Sequence, residues 1–77
     1  MKTSDFLNRI ADILECPAGS VQRTDRLADL AGWDSMAVMG FIAMLDEELG
    51  VVVDAKALKA CKTVDDLAAL AGAALEP

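Results

Sequence analysis

The sequence predicts an all-α bundle, on three observations. Hydrophobic residues make up 55% of the 77 residues but aromatics only 4%, so the core must be assembled from Leu, Ile, Val, Met and Ala, a mixture that suits packed helices. Apolar residues recur at spacings of three and four in several stretches, each bounded by capping or stop residues. At this length the chain makes one domain, residues 1–77, with a modest core and little room for a substrate pocket with its own catalytic apparatus.

Helix one is expected from about Ser4 to Glu15. Phe6, Leu7, Ile10, Ile13 and Leu14 form its inward stripe, with Arg9, Asp12 and Glu15 between them. Thr3, Ser4 and Asp5 are alternative caps, and Pro17 with Gly19 should stop the helix after Cys16. The connection from Pro17 to Asp34 is long for so small a domain, and such loops tend to be functional. Within it Thr24 is positioned to cap a turn over Asp25 to Leu30, with Val21, Leu27 and Leu30 pinned to the core.

Helix two is expected from Ser35 to Leu49, ending at Gly50. Val38, Phe41, Ile42, Leu45 and Leu49 mark its inward face. The opposite stripe, Met36, Gly40, Ala43 and Glu47, is small or apolar in its first two turns where charge is usual. A glycine inside a helix costs about 1 kcal/mol relative to alanine, so Gly40 implies close approach, either by a partner or within the fold. Asp46, Glu47 and Glu48 stand near the helix C-terminus, against the dipole.

Gly50 to Val53 reads as a linker that buries its valines. Asp54 can cap a short third helix, Ala55 to about Cys61, with Lys56, Lys59 and Lys62 along one edge. Thr63-Val64-Asp65-Asp66 reads as a cap followed by first-turn acids of a fourth helix, whose buried stripe is Leu67, Leu70, Ala71, Ala74 and Leu75.

Thirteen acids against seven bases give a net charge of −6, which disfavours nucleic acid and anionic membrane as partners and favours basic protein surfaces. Between Thr24 and Asp54 stand seven acids and one base, Arg26, so the whole net charge resides in that segment. No apolar run is long enough to span a bilayer and no signal-like segment opens the chain, so a cytoplasmic location is expected. With no histidine and no CxxC spacing, Cys16 and Cys61 cannot build a zinc site or a thiol-imidazole pair within the chain; both are expected to be small buried or half-buried side chains.

One stretch organises the rest. In Gly32-Trp33-Asp34-Ser35-Met36 a turn glycine and a capping acid deliver Ser35 to the first position of the most apolar helix. A hydroxyl there faces unpaired backbone N–H groups and the positive end of the helix dipole, a setting that favours an attached phosphate. The same Asp-Ser pair also serves as plain capping chemistry.

This layout resembles the acyl carrier protein family, in the broad sense that includes peptidyl and aminoacyl carriers, over nearly the whole chain: a first helix, a long loop, a second helix opening on Asp-Ser-Met, a short third helix and a fourth. The resemblance implies a four-helix acyl-carrier-like bundle. It implies that a phosphopantetheinyl transferase attaches 4'-phosphopantetheine to Ser35 through a phosphodiester, making a phosphoprotein whose arm holds acyl or aminoacyl groups as thioesters. Asp34 would hold the turn and lie close to the transferase. Phe41, Ile42, Leu45 and Leu49 would line an acyl cleft or close into a core.

Fatty-acid carriers usually place acids along the outer stripe of helix two, where this chain has Ala37 and Gly40, and Trp33 before the motif also occurs in carriers for amino acids or specialised metabolites. Polyketide or nonribosomal peptide biosynthesis is therefore expected over housekeeping fatty acid biosynthesis. Docking would use Met36, Met39, Gly40 and Ala43, with a weaker electrostatic contribution from Asp46 and Glu47. The expected partners are the transferase and acyl- or aminoacyl-loading and acyl-transferring enzymes with basic or apolar docking patches, acting on a monomeric carrier that is not itself an enzyme. The competing reading is an acidic helical interaction module that carries no prosthetic group.

Overall fold

The computed structural model describes residues 1–76, which form four α-helices and, among the described residues, no strand. Helix α1 spans Thr3–Ile13, α2 Ser35–Met44, α3 Ala55–Lys59 and α4 Val64–Ala71. Helix α2 continues through a wider π-helical turn, Leu45–Leu49, before Gly50 takes a left-handed conformation and stops it. Single 3-10 turns cover Leu27–Asp29 and Gly72–Ala74. The expected bundle, with its long first connection and short third helix, is the observed architecture.

One core joins all four helices. Phe6 and Ile10 of α1 meet Phe41 and Leu45 of the second helix, Leu58 of α3, and Val64 and Leu67 of α4, all buried. Phe6 packs edge-to-face on Phe41 at 5.8 Å between ring centroids, and Trp33 packs edge-to-face on Phe41 at 6.0 Å. The three aromatic side chains thus form one chain from α1 through α2 to the loop before Ser35, an arrangement favourable beyond the area it buries.

The ends of α1 depart from expectation. Its N-cap is Lys2, whose side chain makes no capping bond, and the Thr3 hydroxyl instead donates to the Glu76 carbonyl at 2.8 Å. The termini supply what a cap would have: the Thr3 N–H donates to the Glu76 carbonyl and the Glu76 N–H to the Met1 carbonyl, both at 2.8 Å. The helix also ends before Pro17 and Gly19 could stop it. Glu15 adopts φ 59°, and the N–H groups of Glu15 and Cys16 donate back to the Asp12 and Ala11 carbonyls at 3.1 and 2.8 Å. That is the left-handed helix stop usually built on glycine, here carried by a glutamate.

Thr24 caps nothing. The turn begins at Leu27, and the loop is held instead by backbone bonds to the α3–α4 junction: Leu27 N–H to the Lys62 carbonyl (2.9 Å), Val64 N–H to the Asp25 carbonyl (3.0 Å) and Asp65 N–H to the Arg23 carbonyl (2.9 Å). Val21 and Leu27 are buried and Leu30 half-buried, as the pattern required. The linker valines differ: Val51 and Val53 are half-buried, but Val52 is 83% exposed, because an extended segment turns alternate side chains outward.

The second helix buries a face rotated from the expected one. Ala37 and Met44 join Phe41 and Leu45 in the core, whereas Val38, Ile42 and Leu49 are half-buried. Ala37, expected on the outer stripe, therefore points inward. The helix is apolar on nearly every side, so periodicity could not choose between adjacent faces. The third and fourth helices begin as expected, after Asp54 and Thr63. In α4, Leu67, Ala68 and Ala71 are buried and Leu70 half-buried, while Ala74 and Leu75 lie beyond the helix end and are half-buried there.

Candidate functional site

Ser35 is the first residue of α2 and is exposed. Gly32 (φ 87°) turns the chain beside the end of α1, and Trp33, half-buried against Phe41, anchors it. Asp34 then takes extended backbone and accepts the Ala37 N–H on Oδ1 at 3.0 Å, while its carbonyl accepts the Val38 N–H at 2.9 Å. The N–H groups of Ser35 and Met36 have no hydrogen-bond partner among the described residues, and the first turn of α2 holds no acid. An exposed hydroxyl thus sits beside two unused donors at the positive end of a helix. That donor set fits a phosphodiester on Ser35, since no acceptor has to be displaced for the phosphate oxygens to be received.

The outer face of α2 next to the serine is apolar. Met36 is 81% and Met39 70% exposed, and Ala43 is exposed below them. Gly40 is half-buried: a Cβ there would stand 3.6 Å from Ile13 of α1, so its near neighbour belongs to the fold. That distance is ordinary contact, so tight helix packing does not require the glycine. At the far end Asp46 and Glu47 are exposed, but Glu48 makes a two-pronged ion pair with Arg9, whose Nε donates to Oε2 at 2.8 Å. The acidic cluster therefore splits into one acid that ties the second helix to α1 and two that face outward.

The proposed acyl-cleft residues do not form an open channel in this structure. Phe41 and Leu45 are both 0% exposed, filled against the aromatic cluster and the other helices, and only Ile42 and Leu49 retain partial exposure. A cleft along these four would have to displace core side chains.

Two roles escaped sequence reasoning. Trp33 positions the serine turn through Phe41, which in turn packs on Phe6 of α1, so the three-ring chain depends on α1 lying against α2, which no local pattern announces. Arg9 selects Glu48 across 39 positions of sequence, which only the crossing of α1 and α2 makes possible.

Elsewhere the chemistry is structural. Cys16 and Cys61 are free and half-buried; burial, and secondarily the charge of Asp66, push the Cys61 thiol up. The Asp66 carboxyl is held below its ordinary value because it accepts the N–H groups of Lys62 (2.9 Å) and Thr63 (3.1 Å). No cluster of metal-ligating side chains occurs among the described residues, and no described helix is long and apolar enough to cross a membrane.

A family model described as a phosphopantetheine attachment site matches residues 4–71, almost the whole chain. No significant match was found among curated proteins or among solved structures.

Proposed function

The chain belongs to the phosphopantetheine attachment-site family, and from that premise we propose that Ser35 is the residue that bears its covalent 4'-phosphopantetheine. The protein is a phosphopantetheine-carrying carrier. When bound, the group supplies a flexible arm whose thiol holds acyl or aminoacyl cargo as a thioester. The observation that carries the Ser35 assignment is the exposed hydroxyl beside the unused Ser35 and Met36 N–H groups, on a helix start held by Asp34. Asp34 fixes the first turn by accepting the Ala37 N–H, which keeps those two donors aimed outward. No base beside Ser35 is needed, because the modifying enzyme activates the hydroxyl.

Partner enzymes, the transferase and the acyl-handling enzymes alike, dock on the face around Ser35. Met36, Met39 and Ala43 provide apolar contact, Gly40 lets the partner approach the helix, and Asp46 and Glu47 add electrostatic attraction to a basic patch. The scarcity of charge beside the serine favours a specialised acyl or aminoacyl pathway over housekeeping fatty-acid synthesis. The full burial of Phe41 and Leu45 favours cargo that stays outside the bundle. The chain acts as a monomeric, single-domain, cytoplasmic carrier and leaves catalysis to its partners. A fatty-acid malonyl-loading enzyme that charged it as efficiently as its own carrier would reverse the pathway reading.

Intact-mass measurement after incubation with coenzyme A and a broad-specificity phosphopantetheinyl transferase tests the central claim. One phosphopantetheine adduct is expected on the wild-type chain and none on Ser35→Ala. An adduct that persists on folded Ser35→Ala would move the attachment site, and no adduct on either would promote the unmodified interaction module.

A further inference from the structure

We propose that the groove between the C-terminal end of α1 and the first turns of α2 is a socket for an apolar side chain of the phosphopantetheinyl transferase, an inference that rests on Ser35 being the modified residue. The groove measures about 470 Å³. Ile13, Leu14, Ala37 and Gly40 line its apolar part, and Glu15 and Asp34 stand at its polar edge. Gly40 keeps it open. A Cβ at that position would reach ordinary contact with Ile13 at 3.6 Å without a clash, so the packing of α1 on α2 does not demand glycine in the middle of a helix. A longer side chain there would occupy the space.

Two observations identify the occupant. The first is continuity. Asp34 and Met36, the residues on either side of Ser35, both line the groove, so an enzyme that brings its active site onto the Ser35 hydroxyl also covers the groove's edge. The second is charge. Glu15 and Asp34 are both exposed, and Glu15 holds a backbone conformation in which glycine is the usual residue. An apolar anchor flanked by Lys or Arg matches this combination of apolar lining and acidic edge. The socket adds a contact from α1 to a docking face otherwise confined to the second helix.

Docking can be read apart from chemistry on the Ser35→Ala background, by calorimetric titration with a broad-specificity transferase saturated with coenzyme A. Gly40→Leu fills the groove and Glu15→Lys reverses its edge; each should weaken binding by about tenfold, the scale of a lost interface anchor. In the Ser35 form each should raise KM for the carrier with kcat nearly unchanged. Gly40→Gln fills the same space with a side chain that tolerates water, and replaces Gly40→Leu if the latter loses its helical circular dichroism. Unchanged affinity in a folded groove-filling variant overturns the socket while the intact-mass shift upholds the attachment site. No mass shift on the wild-type chain overturns the Ser35 assignment and the socket with it.

Discussion

Helices α2 and α4 both begin after a capping side chain, yet their N-termini have opposite chemistry. At α4 every early donor is used: Val64 and Asp65 donate to loop carbonyls of Asp25 and Arg23, Asp66 donates to the Thr63 hydroxyl at 3.3 Å, and Leu67 donates to the Thr63 carbonyl at 3.4 Å. Asp65 and Asp66 add negative charge in its first turn, and the Asp66 carboxylate closes the capping box. At α2 Asp34 serves Ala37 and Val38, and the Ser35 and Met36 donors stay open with no acid in the turn. A helix start can thus be spent on the fold or left for a ligand, and the difference lies in what the preceding loop brings to it.

Truncation in the shared core should erase this distinction by weakening both ends together. Leu45→Ala, at a site with 0% exposure, is expected to cost about 2–5 kcal/mol, measured by urea unfolding. A loss below about 1 kcal/mol in that assay would mean the site collapses freely around the cavity.

Removing one cap should sharpen it. Thr63→Ala takes the side-chain acceptor from a closed helix start and should cost about 0.5–2 kcal/mol. It should leave the rate of phosphopantetheinylation unchanged, since Thr63 is far from the open terminus in role as well as sequence. A slowed modification at full folding would show that the two helix starts are coupled.

Acid separates the two ends by another route. The Asp66 carboxyl is held below its ordinary value of 3.8, so its folded pKa lies under its unfolded one. Its stabilising contribution is complete above the unfolded value and is lost as pH falls through the folded value. Asp66→Asn should therefore flatten the decline in stability on the acid side, as followed by thermal midpoint against pH, and leave the neutral-to-alkaline limb parallel to wild type. A slope as steep as the parent's would assign the acid sensitivity to other carboxylates.

The smallest stability effect is expected at Ser35. Ser35→Ala should change folding stability by no more than about 0.5 kcal/mol, because an exposed first-turn side chain contributes little packing. Loss of the fold in that variant would contradict its exposed placement.

Much of this was legible in residue order. Caps at Asp34, Asp54 and Thr63 were readable because a capping bond spans only three positions, and the three observed bonds, to Ala37, Ala57 and Asp66, are all of that reach. Thr3, Ser4, Asp5 and Thr24 carried the same local signal and failed, because tertiary pairing of the termini and of the loop with the α3–α4 junction satisfied the backbone there first. Val52 was misread because a run of valines does not say which way an extended segment will twist.

By itself the sequence determined the helix order, the helix starts that local hydrogen bonding decides, and the exposed serine after its capping acid. These follow from interactions between residues a few positions apart. Tertiary structure alone decided that Ala37 turns inward, that Phe41 and Leu45 close into core, that Trp33 braces the serine turn through Phe41, that Arg9 takes Glu48, and that a groove opens beside Ser35. A helix apolar on nearly all sides has no preferred face until its neighbours are in place, and contacts between distant segments exist only once the chain has crossed itself.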